Sequence, residues 1–284
     1  MKVVVGEYSG FCNGVNYTYT KAKEELKRGK VYCLGKIIHN DIVIKELEDK
    51  GMITINDLKE APNGSRVIFR AHGEPSKSYE YAKNNNLEVI DLTCGKVKII
   101  HNIVSKEKED SFIVIIGKKT HPEIIGTIGF SGKNSYVVED FSDIDELIIK
   151  IQKSKLKKIF VISQTTFSSQ KFDELLCVIK EKLKYYPINY DKSICNSTEK
   201  RQKECDEISK KSTLMIIIGD KLSSNTKELY NIAKENCQKS YLVSDIDDLD
   251  NIEILENDNI GIVAGASTPK YVINEVCNKI IGQK

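Results

Sequence analysis

Three glycines end apolar runs in the same way, and a cysteine precedes each at almost the same distance. This pattern constrains the chain more than any bulk property does. Val31 to Leu34 runs into Gly35, Phe112 to Ile116 into Gly117, and Leu214 to Ile218 into Gly219; Cys12, Cys94 and Cys195 stand 23, 23 and 24 residues ahead. The fourth residue after each glycine is His39, His121 or Ser223, and the sixth is Asp41, Glu123 or Asn225. A second motif follows in each third: Arg70-Ala71-His72-Gly73, Ser163-Gln164-Thr165-Thr166 and Ala264-Gly265-Ala266-Ser267-Thr268-Pro269, each after an apolar run. This register aligns His72, Thr165 and Ser267. A fixed period of this kind signals copies of one supersecondary unit.

The unit reads as strand, loop, helix, strand, loop, helix. The segment from Asp41 has helical apolar spacing and stops at Gly51, and Thr226 to Asn236 puts Leu229, Ile232 and Ala233 on one face. Thr268-Pro269 predicts a capped helix running through Ile281. The expected class is therefore α/β, with one small parallel layer in each of the segments 1–93, 94–194 and 195–284. No proline-rich or low-complexity linker separates them. In parallel α/β units, ligands sit beyond the carboxyl ends of strands, where helix N-termini offer free N–H groups. All the motif residues fall there. Three units about a pseudo-threefold axis would place the three cysteines on one ring around a shared cavity.

The 284 residues carry 43 basic and 41 acidic side chains, so no global field draws the chain to nucleic acid or lipid headgroups. The longest apolar runs are strand-sized, far below the roughly 20 residues of a membrane helix. The opening MKVVVGEYSGFC begins a strand directly and lacks an export pattern, which predicts a cytoplasmic, reducing setting. Eight cysteines in such a setting are not a disulfide framework. Cys33, Cys177, Cys205, Cys237 and Cys277 have no counterparts in the repeat and read as buried thiols. Cys12, Cys94 and Cys195 share a register, and three converging thiolates suit a metal or an iron–sulfur centre. Three cysteines on a four-iron cluster leave one iron open to a substrate oxygen.

Four histidines occur, and three of them occupy repeat positions; His101 reads as an ordinary core or surface residue. His39, His72 and His121, with Ser223, Ser224, Asn225, Thr165 and Ser267, supply donors at helix N-termini, a set suited to phosphate oxygens. No GxxxxGK[ST] or GxGxxG motif points to a nucleotide. Glu123, after His121-Pro122, is placed as a carboxyl whose pKa burial can raise, fit to deliver protons. Asp41 reads instead as a helix-start carboxylate. A closed zinc site of three cysteines and one histidine is the structural alternative, and it leaves Glu123 and the hydroxyls without a task.

Taken together, the motifs resemble the LytB/IspH family of 4-hydroxy-3-methylbut-2-enyl diphosphate reductases. Gly10-Phe11-Cys12-Asn13-Gly14-Val15, Ile38-His39-Asn40, Ala71-His72-Gly73, Asp91-Leu92-Thr93-Cys94, His121-Pro122-Glu123 with Gly126-Thr127, Ser163-Gln164-Thr165-Thr166, Ile194-Cys195 with Arg201-Gln202, Ser223-Ser224-Asn225 and Ala264-Gly265-Ala266-Ser267 fall in family order. The resemblance implies a trefoil of three α/β domains around a [4Fe–4S] cluster held by Cys12, Cys94 and Cys195. It implies that His39, His72, Ser223, Ser224, Asn225 and Ser267 grip the diphosphate of an allylic substrate. His121, Thr165 and Glu123 would surround the substrate hydroxyl at the open iron, with Glu123 as proton source. Two electrons, from ferredoxin or a flavodoxin-type donor, and two protons would remove that oxygen as water, giving isopentenyl and dimethylallyl diphosphate. Gly95, Arg70 and Asn16-Tyr17 depart from the usual family flanks, none at a ligand position. The rival readings are a three-cysteine iron–sulfur dehydratase of the quinolinate-synthase type, which needs no reductant, and a zinc-stabilised binding protein.

Overall fold

The computed structural model describes residues 2–282. It contains three four-stranded parallel sheets of one topology. The N-terminal strand β1 (Lys2–Val5) leads to α1 (Asn13–Leu26). There follow β2 (Val31–Leu34), α2 (Asp41–Glu48), β3 (Met52–Ile55), β4 (Arg66–Phe69), α3 (Ser76–Asn84) and β5 (Glu88–Asp91). The middle third supplies α4 (Gly95–Glu107), β6 (Ser111–Ile116), α5 (Pro122–Ser131), β7 (Ser135–Val138), α6 (Ile144–Lys153), β8 (Lys158–Ser163), α7 (Ser169–Lys182) and β9 (Ile188–Asp191). The last supplies α8 (Asn196–Ser209), β10 (Leu214–Ile218), α9 (Ser224–Asn236), β11 (Ser240–Val243), β12 (Asn259–Ala264) and α10 (Lys270–Gly282).

Strand orders are β3-β2-β4-β5, β7-β6-β8-β9 and β11-β10-β12-β1. The central strands are covered on both faces, which is why they read as unbroken apolar runs and not as alternation. Phe112, Val114 and Ile116 of β6 pack into one buried cluster, and Ile113 and Ile115 into another. Leu214, Ile216 and Ile218 of β10 are likewise separated from Met215 and Ile217.

The first third differs from the division read from spacing. Strand β1 pairs with β12, with Lys2 opposite Asn259 and Val5 opposite Ile262. It takes in the last sheet the edge position that β5 and β9 hold in theirs, because no strand follows α10 among the described residues. The chain divides into two compact units, one of residues up to Tyr19, Ile38–Asp49 and those from Asn196, the other of Thr20–Ile37 and Lys50–Cys195. The first contains the β11-β10-β12-β1 sheet, the second the other two. Helix α10 begins at Lys270, one residue after the proline start expected, and the Thr268 hydroxyl donates to the Ile218 carbonyl (3.0 Å). Among the described residues, no helix is long and apolar enough to cross a membrane.

Candidate functional site

The repeat is exact in its backbone bonding. The N–H of Gly35, Gly117 and Gly219 each donates to the last residue of the neighbouring outer strand, at Ile55, Val138 and Val243. The N–H of Cys12, Cys94 and Cys195 donates to the carbonyls of Ala266 (3.2 Å), Ala71 (3.0 Å) and Thr165 (2.9 Å). These bonds correct the expected register by one residue. Thr165 corresponds to Ala71 and Ala266, and His72 and Ser267 correspond to Thr166. Each cysteine follows an edge strand, directly precedes a helix, and is tied to the loop after a central strand.

Cys12, Cys94 and Cys195 are each partly exposed, and none of the eight cysteines is in a disulfide. The other five differ. Cys33 and Cys205 are buried and donate to the carbonyls of Gly35 and Leu229 (both 3.3 Å). Burial pushes the Cys205 thiol up to about 12, with nearby Asp206 adding to it, so it stays protonated. Cys237 is also buried, Cys277 is partly so, and Cys177 on α7 is exposed, against the expectation of a buried thiol. Cys12, Cys94 and Cys195 thus share one backbone setting and partial exposure that the other five cysteines lack, and thiolate is the ligand type that soft metals and iron–sulfur centres take.

In the two-sheet unit, β6 runs into Gly117 and the loop delivers His121 to the N-cap of α5, where its Nδ1 accepts from the Glu123 N–H (3.2 Å). That bond places the proton of a neutral His121 ring on Nε2. Its ring and that of His72 are nearly perpendicular, with centroids 5.4 Å apart. Glu123 in the first turn of α5 is 3% exposed, and its Oε1 and Oε2 accept from the N–H and hydroxyl of Thr165 (both 2.7 Å). Burial raises its carboxyl to about 7, although both Thr165 bonds favour the charged form. His72 precedes Gly73, whose φ of +77° and close approach to His101 leave no room for a Cβ, which would lie 2.6 Å from the imidazole. His101 is buried and stacked on Phe130, and burial lowers it to about 4, a neutral core imidazole as expected.

In the other unit, one loop gathers four of the expected positions. Ala266 accepts from the Cys12 N–H and donates its own N–H to Asn225 Oδ1 (2.9 Å), and Ser267 Oγ donates to the His39 carbonyl (2.8 Å). Ser223 caps α9 by accepting from the Thr226 N–H (3.3 Å), and Ser224 begins that helix. The amide Nδ2 of Asn225 is buried without a partner among the described residues, a donor held ready for an acceptor. Asp41, by contrast, is exposed in the first turn of α2, as a helix-start carboxylate should be.

The family model described as LytB protein matches residues 3–281. The chain belongs to the LytB family. Among its LytB relatives, the 4-hydroxy-3-methylbut-2-enyl diphosphate reductase of Caldanaerobacter subterraneus subsp. tengcongensis is 40% identical, over 99% of this chain and 96% of the relative. That of Aquifex aeolicus is 36% identical over 98% and 95%. The solved structure of the E-1-hydroxy-2-methyl-but-2-enyl-4-diphosphate reductase from Plasmodium falciparum matches with a TM-score of 0.89 at 34% identity, covering 98% of this chain and 87% of that one. Arg201, which the sequence presents only as part of a LytB motif, proves to be buried beside the Cys12 loop. Its partners are backbone carbonyls, so no pairing of residue types reveals them.

Proposed function

We propose that this chain reduces 4-hydroxy-3-methylbut-2-enyl diphosphate to isopentenyl and dimethylallyl diphosphate, the terminal step of the non-mevalonate route. The terminal C–O bond breaks and a C–H bond forms; two electrons and two protons enter, and the oxygen leaves as water. The observation that carries this reading is the equivalence of Cys12, Cys94 and Cys195, three accessible thiols in one backbone register. They are proposed to hold one [4Fe–4S] cluster, which when bound supplies single-electron transfers and a Lewis-acid position free of protein ligand.

Glu123 holds the proton. A buried carboxyl at about 7 is substantially protonated at neutral pH and can give its proton up without a large energetic cost. Thr165 orients that carboxyl through two bonds and can pass a proton through its hydroxyl. His121, held at the N-cap through Nδ1, is the proposed Nε2–H donor to the substrate. Asn225, with its buried unpaired Nδ2, binds diphosphate oxygen together with Ser223, Ser224, Ser267, His39 and His72. One-electron donors of the ferredoxin or flavodoxin type, in a reducing cytoplasm, complete the scheme, since the sequence carries no dinucleotide fingerprint.

The test is iron, zinc and acid-labile sulfide content of anaerobically purified protein, with visible absorption before and after adding the hydroxylated allylic diphosphate. A brown protein whose spectrum shifts on addition, and which turns the substrate over only with a reductant, supports the reading. Zinc in colourless protein, or turnover without a reductant, overturns it.

A further inference from the structure

The three cysteines are approached by chain segments of unequal length. Two residues separate β5 from Cys94 and three separate β9 from Cys195, but six separate β1 from Cys12. A longer connection has more conformations to lose, so equal placement of Cys12 needs additional restraint. Helix α8 provides it. Arg201, only 3% exposed, donates from Nε to the Tyr8 carbonyl and from Nη2 to the Gly10 carbonyl (both 2.8 Å). One turn later, the Glu204 carboxylate accepts from the N–H of Glu7 (2.6 Å) and Tyr8 (3.0 Å). A Cβ on Gly6 would lie 2.7 Å from Glu204 Oε2, so the loop lies closely against this side chain. Ser9 adds a further bond, its Oγ accepting from the Ala264 N–H (3.0 Å). Lys98 on α4 instead reaches Asp91, at the end of β5 (2.8 Å).

We infer that Arg201 and Glu204 are positioning residues for Cys12, fixing its loop so that the thiol meets the cluster; this rests on the reading of Cys12 as a cluster ligand. The two charged ends are matched to the backbone, the guanidinium to carbonyls and the carboxylate to N–H groups, and such charge-assisted bonds are stronger than neutral ones. Outer-shell contacts of this kind set ligand orientation at metal centres.

Hydrogen–deuterium exchange on the anaerobically purified, cluster-loaded full chain reads the loop directly, comparing wild type with R201Q, R201K and E204Q. In R201Q the amides of residues 7–12 exchange faster by about tenfold, the loss of bonds to a charged group. Peptides carrying Cys94 and Cys195 keep their rates, and a chelator removes iron several-fold faster. R201K restores part of the protection, because one ammonium lacks the fixed fork that spans two carbonyls. E204Q, at a partly exposed position and the gentler change, frees the amides of Glu7 and Tyr8. Unchanged exchange at residues 7–12 in both R201Q and E204Q, or equal acceleration around all three cysteines, overturns the inference. Full iron and sulfide in Cys12→Ser overturns the ligand reading, and with it the link to the cluster, whatever the exchange data show.

Discussion

Glu123 and Glu74 are both carboxyls withdrawn from water in the same unit, and they are held in opposite ways. Glu123 is 3% exposed and has uncharged partners at its carboxyl, the N–H and hydroxyl of Thr165. Glu74 is 5% exposed and accepts from Arg70 Nε at 2.9 Å, an ion pair between residues four apart on either side of His72. Burial raises both, and at Glu74 the guanidinium works against that rise. A buried carboxyl with a cation beside it is a structural ion pair; one bonded only to neutral donors is free to exchange its proton near neutrality.

The largest expected effect is at Glu123. Glu123→Gln keeps an acceptor for the Thr165 N–H and turns an amide toward its hydroxyl, so fold, iron content and substrate binding persist while turnover falls by about 10² to 10⁴. The sign of the stability change is opposite. A carboxyl raised from 4.5 to about 7 favours the native state below the lower value and loses that contribution as pH rises through the upper one. The variant should therefore be more stable than wild type at pH 8, by on the order of 3 kcal/mol, and no more stable at pH 4. Full activity in Glu123→Gln would refute the proton role.

Arg70→Met inverts this outcome. Removing the cation strands a buried carboxylate, at a cost of about 3 kcal/mol near neutral pH. Without Arg70 the Glu74 pKa rises further, so the deficit should shrink toward pH 4, in denaturation curves taken at several pH values. The pH profile of turnover should stay where it is in wild type. A shift of that profile would mean that the two carboxyls act as one system, and the contrast would fail.

These contrasts were only partly legible in the sequence. Central strands announce themselves because a parallel sheet covered on both faces demands unbroken apolar runs, as in Phe112–Ile116. The glycine and cysteine spacing reports a backbone register that recurs three times, and Glu123 follows from it. Thr165 is the hydroxyl that meets Glu123, as the motifs imply, and only its alignment with His72 and Ser267 is off by one residue: Thr165 and Thr166 adjoin, and residue types alone do not tell which of them shares the backbone position of Ala71 and Ala266. Strand β1 has no local mark of its partner, since pairing with β12 joins opposite ends of the chain. Arg201 and Glu204 bind main-chain atoms, which have no side-chain identity to match.

Thr165→Val sharpens the comparison by a smaller amount. It removes the hydroxyl bond, the stronger of the two influences holding Glu123 down, and leaves the N–H in place. The carboxyl should rise above its wild-type value, and the alkaline limb of the turnover profile should move to higher pH. Stability at pH 8 should fall by about 1 to 2 kcal/mol, the cost of leaving a buried charge short of one donor. A profile that moves to lower pH would show that the Thr165 hydroxyl does not stabilise the ionised form.

The smallest effect is expected at Thr127, which separates the carboxyl from the helix that carries it. Its hydroxyl donates to the Glu123 carbonyl at 2.8 Å, one turn back along α5, and has no bond to the carboxylate. That carbonyl can keep its helical partner when the hydroxyl is lost, so Thr127→Val should cost less than about 1 kcal/mol. The pH profile should coincide with that of wild type. If it moved as far as in Thr165→Val, the polarity of the α5 backbone would be setting the acidity of Glu123, and the distinction from Glu74 would rest on helix placement instead of on the donors that meet each carboxyl.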